Sequence, residues 1–115
     1  MTTHACHLDG EAEIDRLLDV MSNRLRRAVI YYFEEQTERT VESLSSLAAY
    51  LSAVIPSLAT NAAKIKLIHK HLPQLETTGW LEFDGRTETV VYHGNDYAAT
   101  LLADLRMTFT DEHDD

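Results

Sequence analysis

The chain has 115 residues, of which 44% are hydrophobic, and its formal net charge is −9 at pH 7. That length suffices for one compact domain and is too short for two. No apolar run approaches the roughly 20 residues that span a bilayer, and the first residues lack the layout of a signal peptide, so we expect a cytoplasmic protein. The single cysteine, Cys6, excludes an internal disulfide and fits a reducing compartment.

The acidic residues are concentrated towards the two ends of the chain. Residues 16–109 contain 11 acidic and all 10 basic residues, so the middle of the chain is nearly neutral. Two segments within it, Val20 to Phe33 and Ser43 to Leu75, contain no carboxylate. Their basic residues are Arg24, Arg26, Arg27, Lys64, Lys66 and Lys70. Such a cluster is more often a solvated face than a binding site, but here it occurs inside an acidic protein.

The first half of the chain predicts three helices and one short strand. Apolar residues recur at helical spacing from Ala12 to Met21, and Ser22 or Asn23 can cap a second helix that runs to about Gln36. A polar turn, a short strand at Val41 and a third helix follow. The apolar residues that predict the third helix are Leu44, Leu47, Ala48 and Leu51.

A fourth helix, which contains the three lysines, is predicted to run to Gly79. At about 100° per residue, its apolar residues occupy one stripe about 80° wide, and Lys66 and Lys70 face away from that stripe. The residues of this stripe are Ile65, Ile68, Leu72 and Leu75. Pro73 is expected to bend the helix or to start its last turn, and Gly79 to end it.

A β-hairpin and a final helix complete the predicted elements. Trp80 to Phe83 and Glu88 to Tyr92 alternate as two strands around Asp84-Gly85, which places Arg86 at the tip. Asn95 then caps a helix. Its apolar stripe consists of Tyr97, Leu101, Leu102, Leu105 and Phe109.

This order of elements predicts the fold class and the domain limits. A helix, a turn, a basic helix and a two-stranded ribbon are typical of a winged helix-turn-helix. We therefore predict an α+β fold that is mostly helical, with a small β-hairpin wing and N- and C-terminal dimerisation helices. The domain should span residues 11–109, between a flexible tail at 1–10 and an acidic tail at 110–115.

Two stretches carry a resemblance to a known family. LLDVMSNRLRRAVIYYF, at residues 17–33, and HKHLPQLETTGWLEFD, at residues 69–84, resemble the small ArsR-like winged-helix domains of unknown function from halophilic archaea, over roughly residues 17–92. The chain departs from them at Leu25, where a third arginine is common, and at Thr77 to Trp80. The resemblance implies a transcriptional regulator, and a halophilic source would explain the acidic tails as solubility devices.

The fourth helix and the wing carry the candidate DNA contacts. Lysines on a recognition helix can contact phosphates or the O6 and N7 atoms of guanine, although the same charges can simply form a solubilising face. Arg86 can reach a minor groove or pair with Asp84 or Glu88. The arginines can bind phosphate or pair with Glu34, Glu35 or a neighbouring helix. The predicted DNA-binding residues are Lys64, Lys66, His69, Lys70, Arg86, Arg24, Arg27, Thr60 and Asn61.

The sequence gives little reason to expect a metal or an enzyme. The six histidines and Cys6 suggest two clusters, His4-Ala-Cys6-His7 and His69-x-His71, but structural zinc needs four ligands on rigid elements, and the paired cysteines of ArsR-type sensors are missing. His71 is predicted to pack in the core. We expect no metal and no other cofactor. No GxGxxG, P-loop, GxSxG or HExxH motif occurs, so we expect no catalysis.

The apolar rows of the terminal helices can either complete the core of one chain or pair with a second copy. We predict a homodimer, because one small module recognises too few base pairs for useful specificity. The residues predicted to form the dimer contact are Ile14, Leu17, Leu18, Tyr97, Leu101, Leu102 and Leu105. A regulator that binds double-stranded DNA and no membrane is the favoured interpretation. The alternative is a winged-helix protein-interaction module within a larger assembly, without direct DNA binding, which the net negative charge favours.

Overall fold

A computed structural model describes residues 12, 14–95, 97, 100 and 102–104 of the chain. The predicted tails, the His4 to His7 cluster and three residues of the last helix lie outside the described residues; those three are Leu101, Leu105 and Phe109. The described residues form an α+β fold in which helices precede and flank a small antiparallel sheet. The element order is that of a winged helix, as the sequence predicted.

Helices α1 and α2 follow each other with almost no linker. Helix α1 covers residues 14–21. Helix α2 covers Arg24–Tyr31 and continues as a wider, π-helical turn over Tyr32–Gln36. The Asn23 side chain caps α2, since its Oδ1 accepts a hydrogen bond from the Leu25 amide at 2.8 Å. This cap satisfies one of the amides that a helix start leaves free and confirms the predicted start of the helix. The π-helical turn ends at Gln36, as predicted for the helix end.

The predicted short strand and third helix are also present. Strand β1 covers Val41–Ser43 and helix α3 covers Leu44–Val54. Ser43 is the cap of α3, where its Oγ accepts from the Ser46 amide at 3.1 Å. The four apolar residues predicted to face the core, Leu44, Leu47, Ala48 and Leu51, are fully buried.

The fourth helix consists of three consecutive segments: α4 over Thr60–Lys66, a π-helical turn over Leu67–His71, and α5 over Leu72–Thr77. Pro73 stands at the start of α5. A proline ring clashes with the carbonyl four residues before it in an α-helix. The wider turn removes this clash, because the Leu72 amide donates to the Leu67 carbonyl, five residues back.

The extra residue of the π-helical turn changes which side of α4 faces the core. The buried residues are Ala63, Leu67, His71, Leu72 and Leu75, so Leu72 and Leu75 are buried as predicted and His71 packs in the core. The prediction for Ile65 was wrong, since its side chain is 55% exposed. The prediction assumed one regular α-helix from Ile65 to Leu75. The π-helical turn adds one residue between α4 and α5, which rotates α4 by about 100° relative to α5.

Three strands form the sheet, one more than the predicted hairpin. Strands β2, over Leu81–Asp84, and β3, over Thr89–Tyr92, are antiparallel around a turn at residues 85–88. Strand β1 pairs with the other side of β3, which gives the order β1-β3-β2. Gly79, with a φ of +85°, ends α5 in the left-handed conformation that glycine adopts most easily.

The terminal helices contribute to the core of the single chain. Leu17 and Leu102 are 7% and 3% exposed. These two residues therefore complete the core of the single chain and are not available for the predicted dimer contact. Ile14, Leu18 and Tyr97 are 54%, 52% and 61% exposed. On α1, Ile14 and Leu18 are four residues apart and lie on one side of the helix. Part of the predicted dimer contact is therefore available at the surface.

Candidate nucleic-acid interface

All three lysines of the chain lie between residues 64 and 70. The Lys66 and Lys70 side chains are exposed, and Lys64 is half-buried. Within the described part of the chain, none of them forms an ion pair or a side-chain hydrogen bond. Because no carboxylate occurs between Ser43 and Leu75, their charge is not neutralised by acidic neighbours along the same helices. The three lysines are therefore free to contact an anionic partner.

The side of α4 that points away from the core lies between these lysines. Ala63 and Leu67 are fully buried, and Ile65 lies about 200° around the helix from each of them. Asn61 and His69, four residues before and after Ile65, are exposed on the same side. We call these three residues, Asn61, Ile65 and His69, the outer face of α4. Lys64 lies on one flank of the outer face, and Lys66 and Lys70 lie on the other.

The wing places one arginine at its tip, as predicted. Arg86 lies in the turn between β2 and β3, where its amide donates to Asp84 Oδ1 at 2.9 Å. This bond fixes the turn without occupying the guanidinium. Among the described residues, the Arg86 side chain forms no ion pair, so neither Asp84 nor Glu88 occupies its guanidinium in this structure. The nearby Glu82 is occupied, since its Oε2 lies 2.7 Å from His93 Nε2.

The arginines near the start of α2 are arranged differently from the lysines. Arg26 is only 4% exposed. Its Nε donates to the Val20 carbonyl at 2.9 Å, and its Nη2 donates to the Asp19 carbonyl at 3.0 Å. Arg27 Nη1 donates to the Met21 carbonyl. The two arginines thus donate to three carbonyls at the end of α1, of which that of Asp19 also accepts from Ser22. This is the predicted use of at least one of them against a neighbouring helix.

Arg26 also connects α1 to the π-helical turn and α5, at the far end of the fourth helix. Its Nη1 donates to Gln74 Oε1 at 2.9 Å and lies 3.2 Å from His71 Nδ1. Gln74 Nε2 in turn donates to Asp19 Oδ2 at 3.1 Å. We call Asp19, Arg26, His71 and Gln74 the buried network after its two buried members, Arg26 and His71; Gln74 is half-buried and Asp19 is exposed. The sequence analysis missed this network, because its members are up to 55 residues apart and no spacing rule connects them.

His71 is held neutral within the buried network. Its burial, together with the positive charges of Arg26, Lys70 and Lys66, lowers the pKa of the imidazole from the ordinary value of 6.5 to about 4. Arginine can only donate hydrogen bonds, so the Nδ1 atom of His71 must be the acceptor and Nε2 carries the proton. His71 is therefore a structural residue, while the neighbouring His69 is exposed.

Two glutamates are bound by tyrosines, and one of them, Glu34, was a candidate partner for the arginines. Glu34 Oε2 accepts from the Tyr92 hydroxyl at 2.6 Å, and Glu42 Oε2 accepts from the Tyr32 hydroxyl at 2.9 Å. Burial and the glutamate raise the pKa of the Tyr92 phenol. These contacts attach the π-helical end of α2 to the sheet. Arg24, by contrast, is exposed and has no partner among the described residues.

Two further absences concern only the part of the chain that the structure describes. There, no group of three or more histidine, cysteine, aspartate or glutamate side chains could hold a metal ion. None of the described helices is long and apolar enough to cross a membrane.

Comparison with known proteins gives one match. A family model described as Domain of unknown function (DUF7344) matches residues 18–91. No curated protein and no solved structure matches the chain. The matched range runs from α1 to the end of β3 and therefore contains the lysines, the wing and the buried network.

Proposed function

The chain belongs to this family of domains of unknown function, and we propose that it is a sequence-specific DNA-binding transcriptional regulator that acts as a homodimer. In this proposal α4 enters the major groove and the wing contacts the flanking backbone. The observation that carries it is the set of three unpaired lysines around the outward side of the recognition helix, in a segment without carboxylates. Unpaired cations at this position are what binding to phosphates requires.

The positions of the lysines suggest a division of labour. If the outer face of α4 points at the base edges, then Lys64 on one flank and Lys66 and Lys70 on the other point at the two phosphate backbones that border the groove. In this arrangement the lysines supply affinity, and the residues between them supply sequence preference. Thr60, which is exposed at the start of α4, and His69 are within the same surface and are assigned supporting contacts.

The wing and the exposed arginine of α2 are assigned to the flanking backbone. Arg86 is free at the tip of the turn and Arg24 is free at the start of α2. Arg27 is a weaker candidate, since its half-buried side chain already donates to the Met21 carbonyl. A phosphate contact from Arg27 would compete with a bond that holds α1 in place.

Exposed apolar residues of the terminal segments support the homodimer. Ile14 and Leu18 on α1, and Tyr97 near the C-terminal helix, are each more than half exposed. Burial of such side chains between two copies would stabilise a dimer. A twofold dimer with α4 in successive major grooves predicts two half-sites whose centres are about 34 Å apart.

The finer assignment to ArsR-like regulators of halophilic archaea is also part of the proposal. It is supported by the two stretches quoted above and by the acidic residues near both ends of the chain. Such a regulator would act in the cytoplasm, where the DNA is. In concentrated salt the screening length falls to about 3 Å, so short-range contacts would have to carry the affinity.

The test selects sequences from a library of random duplex DNA with the purified chain, at several salt concentrations, and compares Lys66→Glu and Lys70→Glu with the unmodified protein. We expect an enriched motif with two inverted half-sites, and the loss of that enrichment in either variant. The matched control is Arg39→Glu, which makes the same change in charge. Arg39 precedes β1, and β1 begins at the end of the sheet opposite the wing turn.

Two measurements make the outcome decisive. Circular dichroism establishes that each variant is folded, which we expect because both lysines are exposed and unpaired. If the folded, unmodified chain enriches no sequence at any salt concentration, the DNA-binding proposal fails. The protein-interaction module then becomes the better interpretation, with Ile14, Leu18 and Tyr97 as its contact residues.

A further inference from the structure

The outer face of α4 contains an apolar side chain at its centre. Ile65 is 55% exposed, although the buried positions on either side of it along the helix, Ala63 and Leu67, are fully covered. It lies on the side of the helix that is farthest from the core. Single exposed aliphatic residues are common on protein surfaces, so the exposure of Ile65 by itself indicates no partner.

The surroundings of Ile65 indicate which partner would cover it. Lys64 and Lys66 each lie about 100° from it around the helix, and neither has an ion-pair partner among the described residues. The surface is therefore an apolar centre between two positive flanks, in a segment without carboxylates. A major groove has the complementary pattern, with two phosphate backbones on the outside and apolar thymine methyl groups on its floor.

We propose that Ile65 is a specificity-determining residue that packs against the 5-methyl group of a thymine in each half-site. This inference rests on the proposed function, because it names the bases that α4 reads. Asn61, one helical turn before Ile65 on the same side, is placed to contact the neighbouring base pair, and asparagine pairs in two hydrogen bonds with the N6 and N7 atoms of adenine. The expected half-site therefore contains thymine and adenine next to each other.

Uracil tests this contact, since it lacks the 5-methyl group and is otherwise identical to thymine. The probe is the duplex selected in the experiment above, with each thymine in turn replaced by deoxyuridine in both half-sites. We expect the replacement at one position of the half-site to lower the affinity about 15-fold, which is about fourfold for each of the two buried methyl groups. Ile65→Ala should lose affinity for the thymine duplex and should no longer distinguish thymine from uracil at that position.

The control variant is Val41→Ala, which shortens another exposed aliphatic side chain, on β1. We expect it to fold, to bind and to keep the full difference between thymine and uracil. If the unmodified chain binds its selected sequence but tolerates uracil at every position, or if Ile65→Ala still discriminates, the inference is overturned while the proposed function stands. If no sequence can be selected, the proposed function and the inference fail together.

Discussion

The two basic clusters of this chain, the arginines of α2 and the lysines around α4, look alike in the sequence but differ in the structure. Arg26 and Arg27 bind within the chain, whereas Arg24 and the lysines have no partner among the described residues. Each cluster has three basic residues in a segment without carboxylates. In the structure, Arg26 is 4% exposed and donates to two carbonyls and three side chains, whereas Lys66 and Lys70 are exposed and, among the described residues, have no partner. A local excess of positive charge thus does not distinguish a binding surface from a structural contact.

The chemistry of the two side chains and their positions explain this difference. Helix α2 begins three residues after α1 ends, so its first turn lies beside the last turn of α1 and the free carbonyls there. The guanidinium is planar and carries five donors, which suits several fixed acceptors at once. A lysine ammonium is a compact, strongly hydrated charge on a flexible stem. It is better suited to phosphates at a wet surface than to a buried network.

The largest effect is expected from breaking the buried network. Arg26→Ala removes the donor to the Val20 carbonyl, to His71 Nδ1 and to Gln74 Oε1, whereas the Asp19 carbonyl keeps its bonds from Ser22. We expect this substitution to lower the free energy of unfolding by about 3 kcal/mol, measured by urea denaturation. Arg26→Lys keeps the charge and loses the planar fork, so its loss should be intermediate. A change below about 0.5 kcal/mol, the range of ordinary surface substitutions, would show that the network adds nothing.

A pH titration should reveal the same network through His71. Its pKa is about 4 in the folded chain, below the ordinary value of 6.5, so between these values the unfolded chain binds more protons. Stability is therefore fully present above about pH 6.5 and falls as the pH is lowered to about 4, by up to about 3 kcal/mol for this residue alone.

The control for this titration is His71→Asn, whose side-chain oxygen can accept from Arg26 but does not titrate. Carboxylates contribute to acid unfolding in both proteins, so the decisive quantity is the difference between their slopes of stability against pH. We expect the variant to have the shallower slope between pH 6.5 and 4. Equal slopes would mean that folding does not lower the pKa of His71 below its ordinary value.

The sequence predicted the elements of this fold better than their relative rotation. Local signals such as the Asn23 cap, the alternation of the hairpin and the stop at Gly79 depend on neighbouring residues, and the structure has all three. Ile65 was assigned to the wrong side of the helix because Pro73 is accommodated by a wider, π-helical turn. The regular α-helical period used for the prediction does not include the extra residue of that turn. That turn is also what makes Ile65 the centre of the outer face.

The candidate site was predictable as far as it depends on charge and exposure. The lysines and Arg86 could be found from composition and turn position alone. The role of Arg26 could not, since it depends on His71 and Gln74, which are 45 and 48 residues away. Long-range hydrogen bonds of this kind follow from the packing of α1 and α2 against α5, and only the folded chain brings these residues together.

The smallest effect is expected at the wing, where replacing Arg86 should lower the affinity for DNA only slightly. This residue compares a cation close to carboxylates with the lysines, which have none nearby along the chain. Arg86 is free, but three exposed carboxylates that repel phosphate, Glu82, Asp84 and Glu88, lie within four residues of it along the hairpin. Arg86→Gln should therefore weaken binding to the selected duplex less than Lys66→Gln does. If each substitution removes one phosphate contact, the magnitude of the slope of log affinity against log salt falls by about 0.9 for each half-site.

Glu88→Gln provides the opposite change at the same turn. It removes a neighbouring carboxylate and keeps the side-chain length, so it should increase affinity slightly at low salt, and the increase should disappear as salt screens the repulsion. Neither substitution should change the free energy of unfolding by more than about 0.5 kcal/mol. A larger loss from Arg86→Gln than from Lys66→Gln would make the wing the main anchor on DNA, because the lysines of α4 would then contribute less than a single arginine among three carboxylates.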